Sequence, residues 1–178
     1  MQQRAYAIRD LDKALYWVPA PVLLISAAAG GRRNLMIATR GMQYLDPPNS
    51  SLVIGVARHS ITGGLIEESG QFGINVLAAS QTDVLQRARE QARVPSDQVD
   101  KFATMGVETF QGDVVGAPLI RGCSSNLECK VRGKLDGGDD YFFVMGDIVA
   151  LHGFADRPPM VMFRQAGCEL TPLSSTTR

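Results

Sequence analysis

Apolar and polar positions divide the chain into short segments, most of them extended. Leu11, Ala14, Leu15 and Val18 are spaced as on one face of a helix, so Asp10 to Val18 reads as a short amphipathic helix, closed by Pro19 and Pro21. Pro21 to Ala27, apolar apart from Ser26, reads as a buried strand, and after the Gly30-Gly31 turn Arg32 to Thr39 returns as its hairpin partner. Asp46-Pro47-Pro48-Asn49 is a rigid turn, because each proline fixes φ and removes a donor. Leu52 to Ala57 reads as a strand apolar on both faces, hence central. Ile61 to Ser69 follows as a helix that Gly70 would cap, then Phe72 to Leu77 as a further strand. Gln81 to Gln91 is helical, with Val84, Leu85, Ala88 and Ala92 as its inner stripe. A shorter helix is expected around Val99 to Ala103, and a loop or weak strand over Val107 to Pro118.

The clearest periodicity lies between Asn126 and Leu135. Leu127, Cys129, Val131, Gly133 and Leu135 alternate with Glu128, Lys130, Arg132 and Lys134, the pattern of an antiparallel strand with one wet face. Asp136 to Asp139 turns it back into Tyr141 to Leu151, apolar on both faces, and Met160 to Phe163 is a last strand. Hairpins dominate and strict βαβ alternation is absent, so a Rossmann domain fits poorly. A closed antiparallel barrel with helical insertions fits better, since closure removes sheet edges. One domain over 1–178 is expected, with its core at about 15–168 and a polar tail from Thr171.

Composition narrows the function classes. The 178 residues carry 45% hydrophobic residues and no net charge, so disorder is disfavoured and no basic excess speaks for nucleic acid. The first fifteen residues are charged, and the Val18 to Ala29 run is too short and too interrupted to span a membrane; a soluble cytoplasmic protein is expected. Cys123, Cys129 and Cys168 lack metal spacing and read as buried small residues. His59 and His152 have no partner visible in sequence, so hydrolytic chemistry has no support. An organic cofactor would have to carry any reaction.

The segment Asn34 to Pro48 mixes small, apolar and hydroxyl residues and suits a backbone lying against a flat ligand. Arg58, Ser60 and Thr62 stand where a strand gives way to a helix, a place that favours a phosphate, with Gly63 and Gly64 allowing close approach. Ser60 or Thr62 could equally be an N-cap. Asn75, polar in an apolar strand, needs a partner, either a ligand or neighbouring backbone. Lys101 could reach a phosphate or stand in solvent, and Phe102 could pack on a ring or in the core.

In order along the chain stand Pro21-Val22, Asn34-x-Met36, Leu45-Asp-Pro-Pro, Ser60-x-Thr62 and Leu65-Ile-x-Glu-Ser-Gly. Phe72-Gly-Ile-Asn-Val, Asp100-Lys-Phe, Gly116-Ala-Pro-Leu, Asn126-Leu-Glu-Cys and Gly146-Asp-Ile-Val follow. Together they resemble the flavin reductase-like family, the FMN-binding split barrels, and within it the flavoredoxin-like branch. The resemblance implies a mainly β fold with short helices, an antiparallel split β-barrel of Greek-key type. It implies a homodimer binding FMN, with FAD second, near the subunit interface, and NAD(P)H as co-substrate. Asn34, Met36, Ile37, Ala38 and Thr39 would line the isoalloxazine, largely through backbone. Arg58, Ser60 and Thr62 would hold the phosphate, and Asn75, Lys101 and Phe102 would be further contacts. Hydride passed to flavin N5 would supply reduced flavin or electrons to an oxygenase or another acceptor. The chain departs from the family at Ile37, where a hydroxyl residue is usual, at Asp139-Asp140, where Gly-Asp-His is usual, and at Phe163-Arg-Gln-Ala-Gly-Cys. These departures bear on acceptance of hydride from NAD(P)H more than on flavin binding. Ile37 and Asp140 favour as an alternative a flavin-binding protein or electron carrier without reductase activity, and a split-barrel interaction protein with no cofactor is a third reading.

Overall fold

The computed structural model describes residues 18–38, 43–45, 50–92, 99–153, 156–163 and 166–169. The expected helix before Val18, the Asp46 to Asn49 turn, Thr39 and the tail from Thr171 lie outside them.

Strands β1 (Ala20–Pro21), β2 (Leu23–Ala29), β3 (Arg32–Ala38), β4 (Gln43–Leu45) and β5 (Ser51–Ala57) precede helix α1 (Ile61–Ser69). Strand β6 (Gln71–Val76), helices α2 (Thr82–Gln91) and α3 (Lys101–Thr104), and strands β7 (Thr109–Gln111) and β8 (Pro118–Ile120) come next. The long pair β9 (Ser125–Asp136) and β10 (Tyr141–Gly153) follows, then β11 (Met160–Phe163) and β12 (Ala166–Glu169). Seven strands form one antiparallel sheet in the order β3-β2-β6-β9-β10-β5-β4; β1, β11 and β12 make a second sheet, and β7 pairs with β8.

The two ends of the large sheet, β3 and β4, are consecutive in the chain. Ala38 and Gln43 are joined by a stretch that reaches at most about 18 Å when extended. A flat sheet of this size would be about 29 Å across. The sheet therefore curls until its two edges approach, which makes the split barrel that the resemblance implies, with β3 and β4 left as edges where the hairpin pattern alone suggested closure.

Two cores lie on the two faces of this curled sheet. Inside, Leu23, Ile25, Leu52, Ile54, Phe72, Ile74, Leu127, Cys129, Phe142 and Val144 pack with Leu65 and Ile66 of α1. Outside, Val22, Leu24, Leu35, Leu77 and Ile120 pack with α2, Phe102, Met105, Met160 and Met162. Strand β2 is thus covered on both sides, which explains why its residues are apolar apart from Ser26.

Several expectations need correction. Strand β5 is buried on alternate residues only, Gly55 is exposed, and its neighbour β4 is the sheet edge. Strand β10 likewise has a wet face, with Tyr141, Phe143, Val149 and Leu151 exposed. In α2, Val84, Leu85 and Ala88 are buried, but Ala92 is the exposed C-cap. The short helix starts later than expected, because the Asp100 carboxylate caps it by accepting from the N–H groups of Phe102 and Ala103. Cys123 and Cys129 are free and buried, and burial pushes both thiols up to about 12.

Candidate functional site: the open edge of β3 and the strand–helix corner

Strand β3 ends the sheet, so one of its two rows of N–H and C=O groups faces no other strand among the described residues. Its side chains alternate. Asn34, Met36 and Ala38 share the face turned toward α1 and the inner core, whereas Leu35 and Ile37 pack on the outer core. Ile37 therefore does not offer its side chain where Met36 and Ala38 do. Only its backbone can meet a ligand on their side, and an apolar residue here completes the outer core. Asn34 is 2% exposed, and Thr62 Oγ1 at the start of α1 donates to its Oδ1 at 3.4 Å. That contact ties β3 to the helix.

The corner between β5 and α1 is tightly made. Ser60 is the N-cap: its Oγ accepts from Gly63 N–H at 3.0 Å and donates to the Ala57 carbonyl at 2.8 Å. A Cβ on Gly63 would lie 2.9 Å from Ser60 Oγ and 3.0 Å from Val56, so this glycine serves helix–strand packing rather than ligand access. Gly64 is exposed, with nothing within 4 Å of a would-be Cβ. No acidic residue stands in the first turn of α1, which leaves its positive end uncompensated. Arg58 turns toward the β9–β10 hairpin instead of lying free. Its Nη2 donates to Asp136 Oδ1 at 2.6 Å, to Gly138 O at 2.9 Å and to Tyr141 O at 3.2 Å.

Three further candidates have settled positions. Asn75 is fully buried, and its amide is used within the chain. Nδ2 donates to Leu24 O at 2.9 Å and Ser26 Oγ at 3.2 Å; Oδ1 accepts from Ile120 N–H at 2.7 Å and Asn126 Nδ2 at 2.8 Å. Its partner is neighbouring protein, not ligand, and the same holds for Phe102. That ring is 1% exposed in the outer core, with the Arg33 guanidinium 5.0 Å above it. Lys101 stays near the edge, its Nζ 3.4 Å from the Leu35 carbonyl, and burial lowers its pKa.

A feature that sequence reasoning missed lies on the far side. Glu128, placed by alternation on the wet face, is fully buried. Its carboxylate accepts from the N–H groups of Asp113, Val114 and Val115 at 2.7–2.8 Å and meets His152 Nε2 at 2.8 Å. Donor atoms of Asp113, Glu128 and His152 lie within 4.8 Å of one another. Both Glu128 oxygens are already committed to N–H groups, so the cluster acts as a clasp on the 113–115 loop. His59 is an exposed turn residue. Among the described residues no helix is long and apolar enough to cross a membrane.

An open edge strand beside a capped helix start, on a split antiparallel barrel, is the arrangement that the chain presents. The chain belongs to the family described as flavin reductase like domain, whose profile matches residues 15–171. It is 34% identical over 113 residues to the reductase subunit HsaB of a flavin-dependent monooxygenase from Mycobacterium tuberculosis, a match covering 62% of this chain and 55% of that protein. The chain thus spans about half the length of that relative. It is 26% identical over 143 residues to an NADH-dependent FAD reductase of Streptomyces globisporus, covering 80% of this chain and 75% of the other. Among solved structures, the NADH:FAD oxidoreductase SgcE6 of Streptomyces globisporus superposes with a TM-score of 0.83 at 22% identity, over 97% of this chain and 100% of that one. That likeness confirms the fold.

Proposed function

We propose that this protein is an NAD(P)H-dependent flavin oxidoreductase that supplies reduced flavin or electrons to a partner. The observation that carries the reading is the edge of β3 that no strand among the described residues covers, beside the start of α1. The residues present fit a flavin. Met36 and Ala38 are half-buried and would form a shallow shelf, the backbone from Leu35 to Ala38 offers donors and acceptors, and Thr39 is the next residue in sequence. Arg58, Ser60 and Thr62 stand at the corner where a phosphate tail would lie, and Lys101 adds a cation at the edge.

A bound flavin would supply hydride acceptance at N5 from a reduced nicotinamide. The chain's part is positional. The β3 backbone would hold the ring against the edge of the sheet, where a nicotinamide could meet it. Backbone N–H groups at the ring edge favour negative charge there. FMN and FAD both remain in the proposal, because the names of the relatives speak of FAD while the corner suits a short phosphate tail. An oxygenase is the proposed acceptor, by analogy with the Mycobacterium tuberculosis relative, the reductase subunit of a flavin-dependent monooxygenase.

A second copy of this chain is the proposed partner for the open sheet face. Leu135 and Phe143 are paired across β9 and β10 and are 58% and 43% exposed, with Tyr141 beside them at 53%. Exposed apolar groups this close together favour a covered surface. Sedimentation of the purified protein should give a dimer mass.

A second reading, a flavin carrier without nucleotide oxidation, is favoured by one observation: the acidic turn carrying Asp139 and Asp140 bonds directly to the corner, Arg58 N–H donating to Asp140 O at 2.9 Å. Following the loss of reduced-nicotinamide absorbance on addition of FMN or FAD separates the two. Turnover supports the reductase, and flavin binding with no turnover selects the carrier.

A further inference from the structure

The guanidinium best placed to anchor a phosphate is already held by an anion of the chain's own. Arg58 is bonded to Asp136 Oδ1 and to the carbonyls of Gly138 and Tyr141. The turn is shaped for this contact. Asp136 Oδ1 also accepts from Gly138 N–H at 3.1 Å, which fixes the carboxylate. Gly138 adopts φ of 96°, a conformation that favours glycine. A Cβ on Gly137 would come within 2.9 Å of the Tyr141 carbonyl, so the turn closes only without a side chain there. Positions 136–141 hold three carboxylates and no Lys or Arg.

Resting on the flavin reading above, we propose that Asp136 is a specificity-determining residue. Its carboxylate occupies Arg58 in place of a flavin phosphate, so the site recognises a flavin by its ring and discriminates weakly for the phosphorylated tail. A phosphate that takes Arg58 must displace Asp136, and one that does not must sit beside Asp136, Asp139 and Asp140. Exchange of one anion for another on the same cation gains little net Coulomb energy, since one pair is lost as the other forms. The Asp136 side chain is 82% exposed, and Arg58 39%, so the displaced carboxylate is readily hydrated. The competition is accordingly modest: an exposed pair of this kind shifts a binding constant by about two- to five-fold.

The test titrates riboflavin and FMN, by quenching of flavin fluorescence at low salt, into the wild-type protein, Asp136→Asn, Asp136→Ser and the double variant Arg58→Gln with Asp136→Asn. Two substitutions at Asp136 guard against one of them misfolding. Wild-type affinities for the two flavins should lie within about five-fold of each other. Both Asp136 variants should tighten FMN by about two- to five-fold and leave riboflavin unchanged. Arg58→Gln combined with Asp136→Asn should remove the gain. An unchanged FMN to riboflavin ratio in both Asp136 variants, with quenching intact, overturns this inference alone. Absence of quenching with either flavin overturns the flavin reading and this inference with it.

Discussion

Glu128 Oε1 lies 2.8 Å from His152 Nε2, and the same carboxylate receives three consecutive backbone N–H groups, from Asp113, Val114 and Val115. The pair fastens the loop between β7 and β8 to the β9–β10 ribbon. Burial raises the Glu128 pKa, but the hydrogen bonds from His152 and the three N–H groups outweigh it and hold the group at about 2 rather than 4.5. The folded value is the lower one, so the stabilisation is full above 4.5 and disappears as pH falls toward 2. That shift corresponds to about 3 kcal/mol. Denaturant midpoints measured across this window should fall steeply for the wild type and flatten for Glu128→Gln. An equal slope in both proteins would contradict the clasp.

Gly112 and Gly64 should respond oppositely to alanine. A Cβ on Gly112 would lie 2.4 Å from Glu128 Cδ and 2.5 Å from Oε2, so Gly112→Ala forces the carboxylate off its N–H partners at a cost of about 1–3 kcal/mol. Gly64 lies inside α1 with open space around it, so Gly64→Ala should stabilise by about 0.5–1 kcal/mol. Thermal melts of the two variants check both signs.

Asn75 joins its own strand to β2, β8 and β9 rather than to a ligand. Asn75→Ala strands the buried Ile120 N–H and takes one of two acceptors from the Asn126 amide, which keeps Ile120 O, at a cost of about 1–3 kcal/mol. The folded protein should keep its flavin affinity. A variant of unchanged stability that has lost flavin binding would return Asn75 to the site.

Ala38 bears on the shelf itself. Its side chain is half-buried on the α1-facing side of β3. Ala38→Phe should fill the shelf and weaken flavin binding by about ten-fold or more, equal to about 1.4 kcal/mol. Circular dichroism should stay that of the wild type, because Ala38 stands at the end of the strand.

Much of this architecture was legible where local chemistry dictates it. The Gly30-Gly31 turn has positive φ at both residues, 55° and 76°, and it sets the β2–β3 hairpin. Ser60 and Gly70 bracket α1 as cap and left-handed stop. The failures share a different cause. Glu128 obeys the alternation of β9, but the loop before β8 covers the supposed wet face, and only long-range packing brings that loop there. His152 gains its carboxylate partner by the same route, since Asn126 and His152 are cross-strand neighbours only through the β9–β10 register. Strands β4, β7, β8 and β12 are three or four residues long, too short for periodicity to register, and only their pairing, each with a strand nearby in the chain, defines them. Arg58 was legible as a cation at a corner, but its occupation by Asp136 depends on a turn almost eighty residues away.

The most direct measurement adds FMN or FAD to the purified protein together with NADH or NADPH and records flavin fluorescence and reduced-nicotinamide absorbance in the same cuvette. Quenched flavin and flavin-dependent loss of the nicotinamide signal are expected, both abolished or sharply reduced in Ala38→Phe. Undiminished fluorescence and a steady nicotinamide signal with every combination would contradict a flavin site on the edge of β3.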